Sequence, residues 1–268
     1  MIVSVYDDLG APVPLPTPPR RIVSLVPSLT EAVAAGHREL LVGVTDWCTH
    51  PGDLDVRRVR GTKNPDRKAI VDLRPDLVLA NKEENRELDV RRLREAGVPV
   101  WVTVIESLPQ AFRSLRRVFS EALGVELPDW LLEAEALWPD TRLDTLPAAA
   151  GRVAVPIWRD PWMVVGSSTF TGDLLRRAGL ENAFGDRPDR YPKVDLAEID
   201  RAGVDLVLLP DEPYVFTADD GPEAFRSTPT TLASGRLLTW YGPSLLEAHD
   251  ELARLARLVG LARGSRPD

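Results

Sequence analysis

The sequence predicts an α/β fold made of two similar lobes, each with a mostly parallel sheet, joined by a long helix. Three observations predict it. First, the chain repeats itself: residues 70–83 read IVDLRPDLVLANKE and residues 199–212 read IDRAGVDLVLLPDE. Laid on each other, Ile70 meets Ile199, Asp76 meets Asp205, Leu77-Val78-Leu79 meets Leu206-Val207-Leu208, and Glu83 meets Glu212. Second, short apolar strand patterns alternate with helical ones in both halves, as in a mostly parallel sheet. Third, the stretch between the halves carries apolar residues at helical spacing and no strand signal. The expected organisation is an N-terminal α/β lobe over 1–106, an inter-lobe helix over 107–139 and a C-terminal α/β lobe over 140–268. Ligands favour clefts between such lobes.

Residues 1–19 predict a strand or arm, IVSVYDD, followed by a Pro-rich connection. Residues 21–27 form a short buried strand, and Ser28 or Thr30 caps a helix over 29–35 that stops at Gly36. A strand over 41–45 delivers Trp47, Cys48, Thr49 and His50. A short helix at 68–73 and a strand at 76–80 lead into the polar run Asn81-Lys82-Glu83-Glu84-Asn85. A helix over 86–96, closed by Gly97, precedes a strand over 98–104. Phe112, Leu115, Phe119 and Leu123, then Trp130, Leu131 and Ala134, mark helical stretches at 108–123 and 128–138; Pro128 starts or kinks the second. Residues 139–150 read as a Pro/Ala/Thr linker.

The second lobe opens at Arg152-Val153-Ala154 as the first does at Arg21-Ile22-Val23. Its first helix, 173–178, ends at Ala178-Gly179 as the earlier one ends at Ala35-Gly36. Before it, GSSTFTG at 166–172 resembles a phosphate loop without the lysine and serves better as a turn and N-cap. Later strands are expected to end at Trp101 in the first half and at Trp240 in the second. A helix over 244–260 closes the lobe, and the tail from 263 is expected to be disordered.

The chain has 41 acidic and 33 basic residues, a net charge of −8. Phosphate backbones and anionic bilayers call for a positive face, so the charge argues against both. The pairs Arg57-Arg58, Arg91-Arg92 and Arg116-Arg117 sit beside acids and read as solvated faces of helical stretches. A single cysteine, Cys48, excludes an intrachain disulfide. No apolar run approaches the ~18 residues that a spanning helix needs. Residues 1–19, with Asp7, Asp8 and five prolines, lack the basic and apolar segments of a signal peptide. The sequence as given therefore reads as cytoplasmic, or as periplasmic or extracellular if a leader was trimmed.

In parallel α/β sheets ligands bind beyond the carboxyl ends of the strands. The residues expected there are Trp47, Cys48 and His50; Asn81, Lys82, Glu83, Glu84 and Asn85; Trp158, Arg159, Asp160 and Trp162; Asp211, Glu212 and Tyr214; and Trp240 with Tyr241. Trp and Tyr give broad, stiff contact surfaces, so the aromatic residues predict a platform for a large flat or semi-apolar ligand. Trp101, Trp130 and Trp138 fall on core faces instead. The acidic group Glu83, Glu84, Asp211 and Glu212 could hold a hard cation or form a polar rim; exposed carboxylates are the plain alternative. Lys82 and Arg159 could pair with those acids or with a ligand carboxylate. Cys48 and His50 are too few for a structural zinc site. They read either as buried or capping residues or as an axial ligand to a metal already held in a macrocycle. The sequence contains no G-x-G-x-x-G, G-x-x-x-x-G-K-[ST] or G-x-S-x-G motif.

With RIVSLVPSLTE at 21–31 and RPDLVLA at 74–80, the chain resembles the helical-backbone metal receptor superfamily over about residues 20–260. These are the cobalamin and iron–siderophore substrate-binding proteins of ABC importers. The resemblance implies two Rossmann-like lobes joined by a backbone helix, in the manner of class III periplasmic binding proteins, with little hinge closure and no catalysis. It implies a metal-chelate ligand (cobalamin, haem or a ferric siderophore), no required cofactor, and an ABC permease as partner. Transport members dock through a Glu on each lobe. Here the matching positions are Lys68 and Ala197, with Glu198 beside the latter, which argues against that mode of docking. The expected function is thus a small-molecule binding protein with its ligand between the lobes. The alternative is a chelatase-like enzyme acting on a tetrapyrrole or metal chelate, with Glu83, Glu84 or His50 as the titrating group.

Overall fold

The computed structural model describes residues 2–16, 18–139 and 149–264. Most of the expected linker and the end of the expected disordered tail lie outside the described residues. The chain divides into two compact units. The first comprises 1–105, 109–136 and Tyr241–Pro243; the second comprises Glu106–Leu108, 137–240 and 244–268.

The first unit opens with an antiparallel hairpin, β1 (Ile2–Tyr6) and β2 (Pro12–Pro16). Then come β3 (Ile22–Ser24), α1 (Pro27–His37), β4 (Leu41–Val44), β5 (Arg57–Arg58), β6 (Arg60–Gly61), β7 (Asn64–Pro65), α2 (Arg67–Asp72), β8 (Leu77–Asn81), α3 (Glu87–Glu95) and β9 (Val100–Thr103). The main sheet has the order β5-β4-β3-β8-β9 and is parallel throughout. Its central strands are apolar runs, IVS and LVLAN, buried on both faces, as a covered parallel sheet requires. Val23, Val78 and Val100 pack with Ile70 of α2 and Leu93 of α3 to form the core. Two helical stretches complete the region: α4 (Leu108–Arg117), which winds on as a π-helix to Leu123 and stops at left-handed Gly124, and α5 (Asp129–Leu137).

The second unit holds β10 (Gly151–Ala154), the antiparallel pair β11 (Pro156–Trp158) and β12 (Met163–Val164), α6 (Phe170–Arg177), β13 (Leu180–Asn182), α7 (Leu196–Ile199), β14 (Leu206–Pro210), β15 (Thr230–Ala233), α8 (Gly235–Thr239) and α9 (Ser244–Gly264). Its parallel sheet runs β13-β10-β14-β15, the same order as β4-β3-β8-β9 in the first unit. The repeat extends to single contacts. Asp76 donates its amide to the Arg21 carbonyl at 2.8 Å and accepts the Arg21 amide on Oδ2 at 2.9 Å. Asp205 does both with Arg152, each at 2.8 Å. In each unit, then, an Asp before the third strand of the motif pins the start of the first.

Several sequence expectations need correction. Helix α1 is not capped by Ser28 or Thr30: both lie inside it, Val26 is the cap residue, and Pro27 fills the first turn, where its missing N–H costs nothing. The helix passes through Gly36, where a Cβ would come within 3.0 Å of Pro128. Arg57 and Arg58 are exposed but lie on a strand rather than a helix, and Arg58 donates to the carbonyls of Thr45 and Cys48. Arg117 is not merely solvated: it pairs with Asp8 at 2.6 Å and covers the Trp101 ring at 5.0 Å. Thr169 does cap α6, accepting the Gly172 amide at 3.1 Å, but the helix begins at Phe170 rather than 173. Trp240 ends no strand; it caps the C-terminus of the short helix α8.

Candidate functional site

In the first unit the loop after β4 begins with Thr45 and Asp46 and then presents Trp47, 66% exposed. Its indole lies over Gly61, where a Cβ would sit 3.3 Å from Nε1. Arg58 fixes this loop from below by donating to the carbonyls of Thr45 and Cys48 at 3.0 and 2.8 Å. Cys48 and His50 diverge. The Cys48 thiol is fully buried, against the hydroxyls of Thr30 (3.0 Å) and Thr45 (3.1 Å), and burial pushes its pKa up despite those contacts. His50 is exposed, with Nδ1 at 3.1 Å from the Thr49 hydroxyl. Among the described residues no group of three or more His, Cys, Asp or Glu side chains is placed to hold a metal ion.

The loop after β8 is shaped by its two asparagines. Buried Asn81 accepts the amides of Glu83 (2.8 Å) and Glu84 (3.3 Å) on Oδ1 and donates to Thr103 at 3.1 Å. Asn85 accepts the Asn81 amide and donates to the carbonyls of Leu25 and Thr62. These side chains build the loop that carries exposed Lys82 and half-buried Glu83 and Glu84. Lys63 donates to the Glu83 carbonyl. Tyr241 belongs to this unit: its ring is buried and its hydroxyl donates to Glu84 Oε1 at 3.3 Å. Burial first, and the Glu84 charge second, hold the Tyr241 phenol well above its usual range.

In the second unit the β11–β12 turn and the loop after β14 are zipped together by aromatic rings and one arginine. Trp158, 44% exposed, meets Tyr214 edge-on, with centroids 5.6 Å apart at 79°. Tyr214 leans on Phe216 at 4.7 Å, and Phe216 stacks on buried Trp162 at 5.9 Å and 9°. Phe225 closes the cluster edge-on to Trp162 at 5.4 Å. Arg159 lies over the Trp162 ring at 5.6 Å and donates to Asp220 and to Glu223, the latter at 2.5 Å. These bonds raise the pKa of its guanidinium further. The Tyr214 hydroxyl donates to the other Asp220 oxygen at 2.7 Å, which raises its phenol pKa. Sequence reasoning considered Asp211 and Glu212 as acids for Arg159, but missed Asp220 and Glu223, which hold it here. An Asp-Asp-Gly turn after an aromatic-rich loop was the available signal.

Asp211 instead accepts the Gly235 amide at 2.7 Å, bracing the start of α8. Burial pushes the Glu212 carboxyl pKa up, against the opposing influence of the Trp240 and Thr239 side chains. Trp240 itself is only 6% exposed. Trp158 is thus the indole that the second unit leaves open, while Trp162 and Trp240 are buried.

These two units have close counterparts. No family model matches the chain. It is 24% identical over 259 residues to the vitamin B12-binding protein of Pectobacterium carotovorum, covering 92% of this chain and 91% of the relative. It is 27% identical over 274 residues to the ABC transporter substrate-binding lipoprotein YvrC of Bacillus subtilis, covering 94% and 84%. The chain is related to the substrate-binding proteins of ABC importers. The solved structure of the periplasmic vitamin B12-binding protein BtuF of Vibrio cholerae matches with a TM-score of 0.71 at 17% identity, covering 90% of this chain and 98% of that one. That likeness is one of fold: the class III binding-protein architecture expected from the sequence is the one observed. No helix among the described residues is long and apolar enough to cross a membrane.

Proposed function

We propose that this chain is a receptor for a metal chelate of the cobalamin or ferric-siderophore type. The first unit offers Trp47 as an apolar contact and Lys82 and Glu83 as polar groups; the second offers Trp158 with Tyr214 and the polar Asp160. The observation that carries the reading is Trp158: a large ring left 44% open on a frame of packed aromatics and ion pairs. A rigid, exposed aromatic is what a receptor uses to gain contact area at little entropic cost. Haem remains in the same ligand class. Cys48 lies behind two threonines and His50 is open to solvent, so His50 is the better placed of the two to reach a metal from this surface.

An importer permease is the partner that fits the relationship. Lys68 on α2 is 86% exposed and pairs with Asp72, and Ala197 on α7 carries no charge. Those residues support a docking mode different from the paired-glutamate one.

Calorimetric titration with cobalamin, haem and a ferric siderophore tests the proposal, using Trp158→Ala as the variant. A Trp side chain has a surface of about 250 Å², so the open part is about 110 Å². Covering half of it at ~25 cal/mol/Å² contributes about 1.4 kcal/mol, a factor of ten. Trp158→Ala is therefore expected to weaken binding tenfold or more. Unchanged affinity removes the platform from the proposal, and no isotherm with any of the three ligands refutes it.

A further inference from the structure

The two main sheets end in edge strands that hold equivalent places in the repeat, β9 in the first unit and β15 in the second. On the inner side these strands behave alike. Pro99 and Thr103 give their carbonyls to the amides of Val78 and Lys82, at 2.9 and 3.0 Å; Pro229 and Ala233 give theirs to Val207 and Asp211, at 2.9 and 3.2 Å. Bonding sides alternate along a strand, so Val100 and Val102 turn their amides and carbonyls outward from the first sheet, and Thr230 and Leu232 do so from the second. The outer sides differ. In β9 the Val100 carbonyl accepts from Arg94 at 2.9 Å, the Val102 carbonyl accepts the Asp8 amide at 3.1 Å, and the Val102 amide donates to Asp7 Oδ2 at 3.4 Å. Every residue of that strand is buried. Among the described residues no strand, bridge or acid plays that part over β15. The Leu232 carbonyl has the Thr231 hydroxyl at 3.4 Å, and the Leu232 side chain is 43% exposed.

A bare sheet edge is a template for another strand, and proteins guard such edges with charge. The opposite edges of the same two sheets are guarded: β5 carries exposed Arg57 and Arg58, and β13 carries exposed Glu181. Strand β15 instead lies in an uncharged run, Ser227 to Ser234. Two copies of a chain with a net charge of −8 repel one another. Pairing β5 with β5, or β13 with β13, would add like charges side by side; pairing β15 with β15 adds none.

We infer that β15 is an interaction edge for a second copy of this chain, the two strands running antiparallel about a two-fold axis at Thr231. In that register Thr230 of each copy faces Leu232 of the other, and each such pair exchanges two N–H···O=C bonds. The two Thr231 residues meet between them as the close, non-hydrogen-bonded pair. The outward groups that Arg94, Asp7 and Asp8 satisfy on β9 are satisfied on β15 by the second copy.

Sedimentation velocity on the full chain tests this, over about 1 to about 500 µM, the range of a small, weak interface. The unaltered chain is expected to pass from monomer to dimer across that range. Thr231→Lys and Thr231→Glu each set like charges opposite one another and should weaken the dimer about fivefold or more, with the circular dichroism spectrum unchanged. An equimolar mixture of the two variants should recover the dimer, because lysine then faces glutamate. Amide exchange on the unaltered chain gives a second reading that needs no variant. The Thr230 and Leu232 amides should gain protection as concentration rises, while the Thr231 amide, on the inner side, stays protected throughout. A chain that remains monomeric overturns the inference. With the two outward amides protected it covers its own edge; with them open the edge is left to an extended segment of another protein. A dimer that either variant leaves intact uses another surface and overturns it too, as does a mixture that recovers no dimer.

Discussion

Replacing Asp205 by alanine removes the acceptor that pins the start of β10 to the turn before β14. Asp205 is 6% exposed, and its Oδ2 receives the Arg152 amide at 2.8 Å. The carboxylate fits tightly under Gly151, where a Cβ would come within 2.5 Å of Oδ2. A charge-assisted bond of this kind contributes about 1.5–3 kcal/mol, and the orphaned amide adds to the loss. The expected cost is about 2–4 kcal/mol. Asp76, the matching residue, accepts two amides, from Arg20 at 2.7 Å and Arg21 at 2.9 Å, but in a more exposed setting. Asp76→Ala is therefore expected to cost less, about 1–2 kcal/mol. A two-unit chain need not unfold in one step, so native-state hydrogen exchange read strand by strand is the appropriate assay. In Asp205→Ala the amides of β10, β13 and β14 should lose protection while β3 and β8 keep theirs, and Asp76→Ala should do the reverse. A change below about 0.5 kcal/mol, or an equal loss in both sheets, refutes the pin.

Glu212 gives a pH-dependent outcome. Burial raises its folded pKa above the unfolded value, so the folded state binds this proton more tightly; its stabilising effect is present at acid pH and is lost as pH rises through the folded pKa. Glu212→Gln, which keeps the shape of the side chain without its charge, should raise the thermal midpoint at about pH 7 and give no gain at about pH 3.5; a gain of equal size at both refutes the sign. Cys48, fully buried and with its thiol pKa raised, should react with a thiol reagent only through local opening. Its labelling should be slow under native conditions and immediate in denaturant; rapid native labelling would contradict the burial.

The frame was legible because its signals are local and doubled. P-D-L-V-L and V-D-L-V-L each carry a turn acid and a doubly buried strand within seven residues, and the structure places them in equivalent sheets with equivalent contacts. Short apolar pieces were harder. GRLLT before Trp240 is as apolar as a strand of the same length, and five residues cannot distinguish the periods. Its identity as a helix is set by Asp211, which meets the Gly235 amide from 24 positions away. The candidate site was legible in residue type but not in role. Trp158, Trp162 and Trp240 look alike in sequence, yet packing from Phe216, Phe225 and Glu212 buries two of them and leaves the first open. The commitment of Arg159 depends on partners about 60 residues away, a distance over which no sequence periodicity carries information.

The path of the chain sets a limit on how this protein can be taken apart. Three residues, Tyr241–Pro243, belong to the first unit although the chain on either side of them belongs to the second. Gly242 fits where a Cβ would press within 3.1 Å of the Ser28 carbonyl, and Tyr241 reaches Glu84. A gene fragment encoding residues 1–136 would therefore lack a piece of its own interior. Transplanting one half onto a relative would carry away that piece or import a foreign one. Exchange of parts with a relative would therefore have to carry Tyr241–Pro243 together with the rest of the first unit.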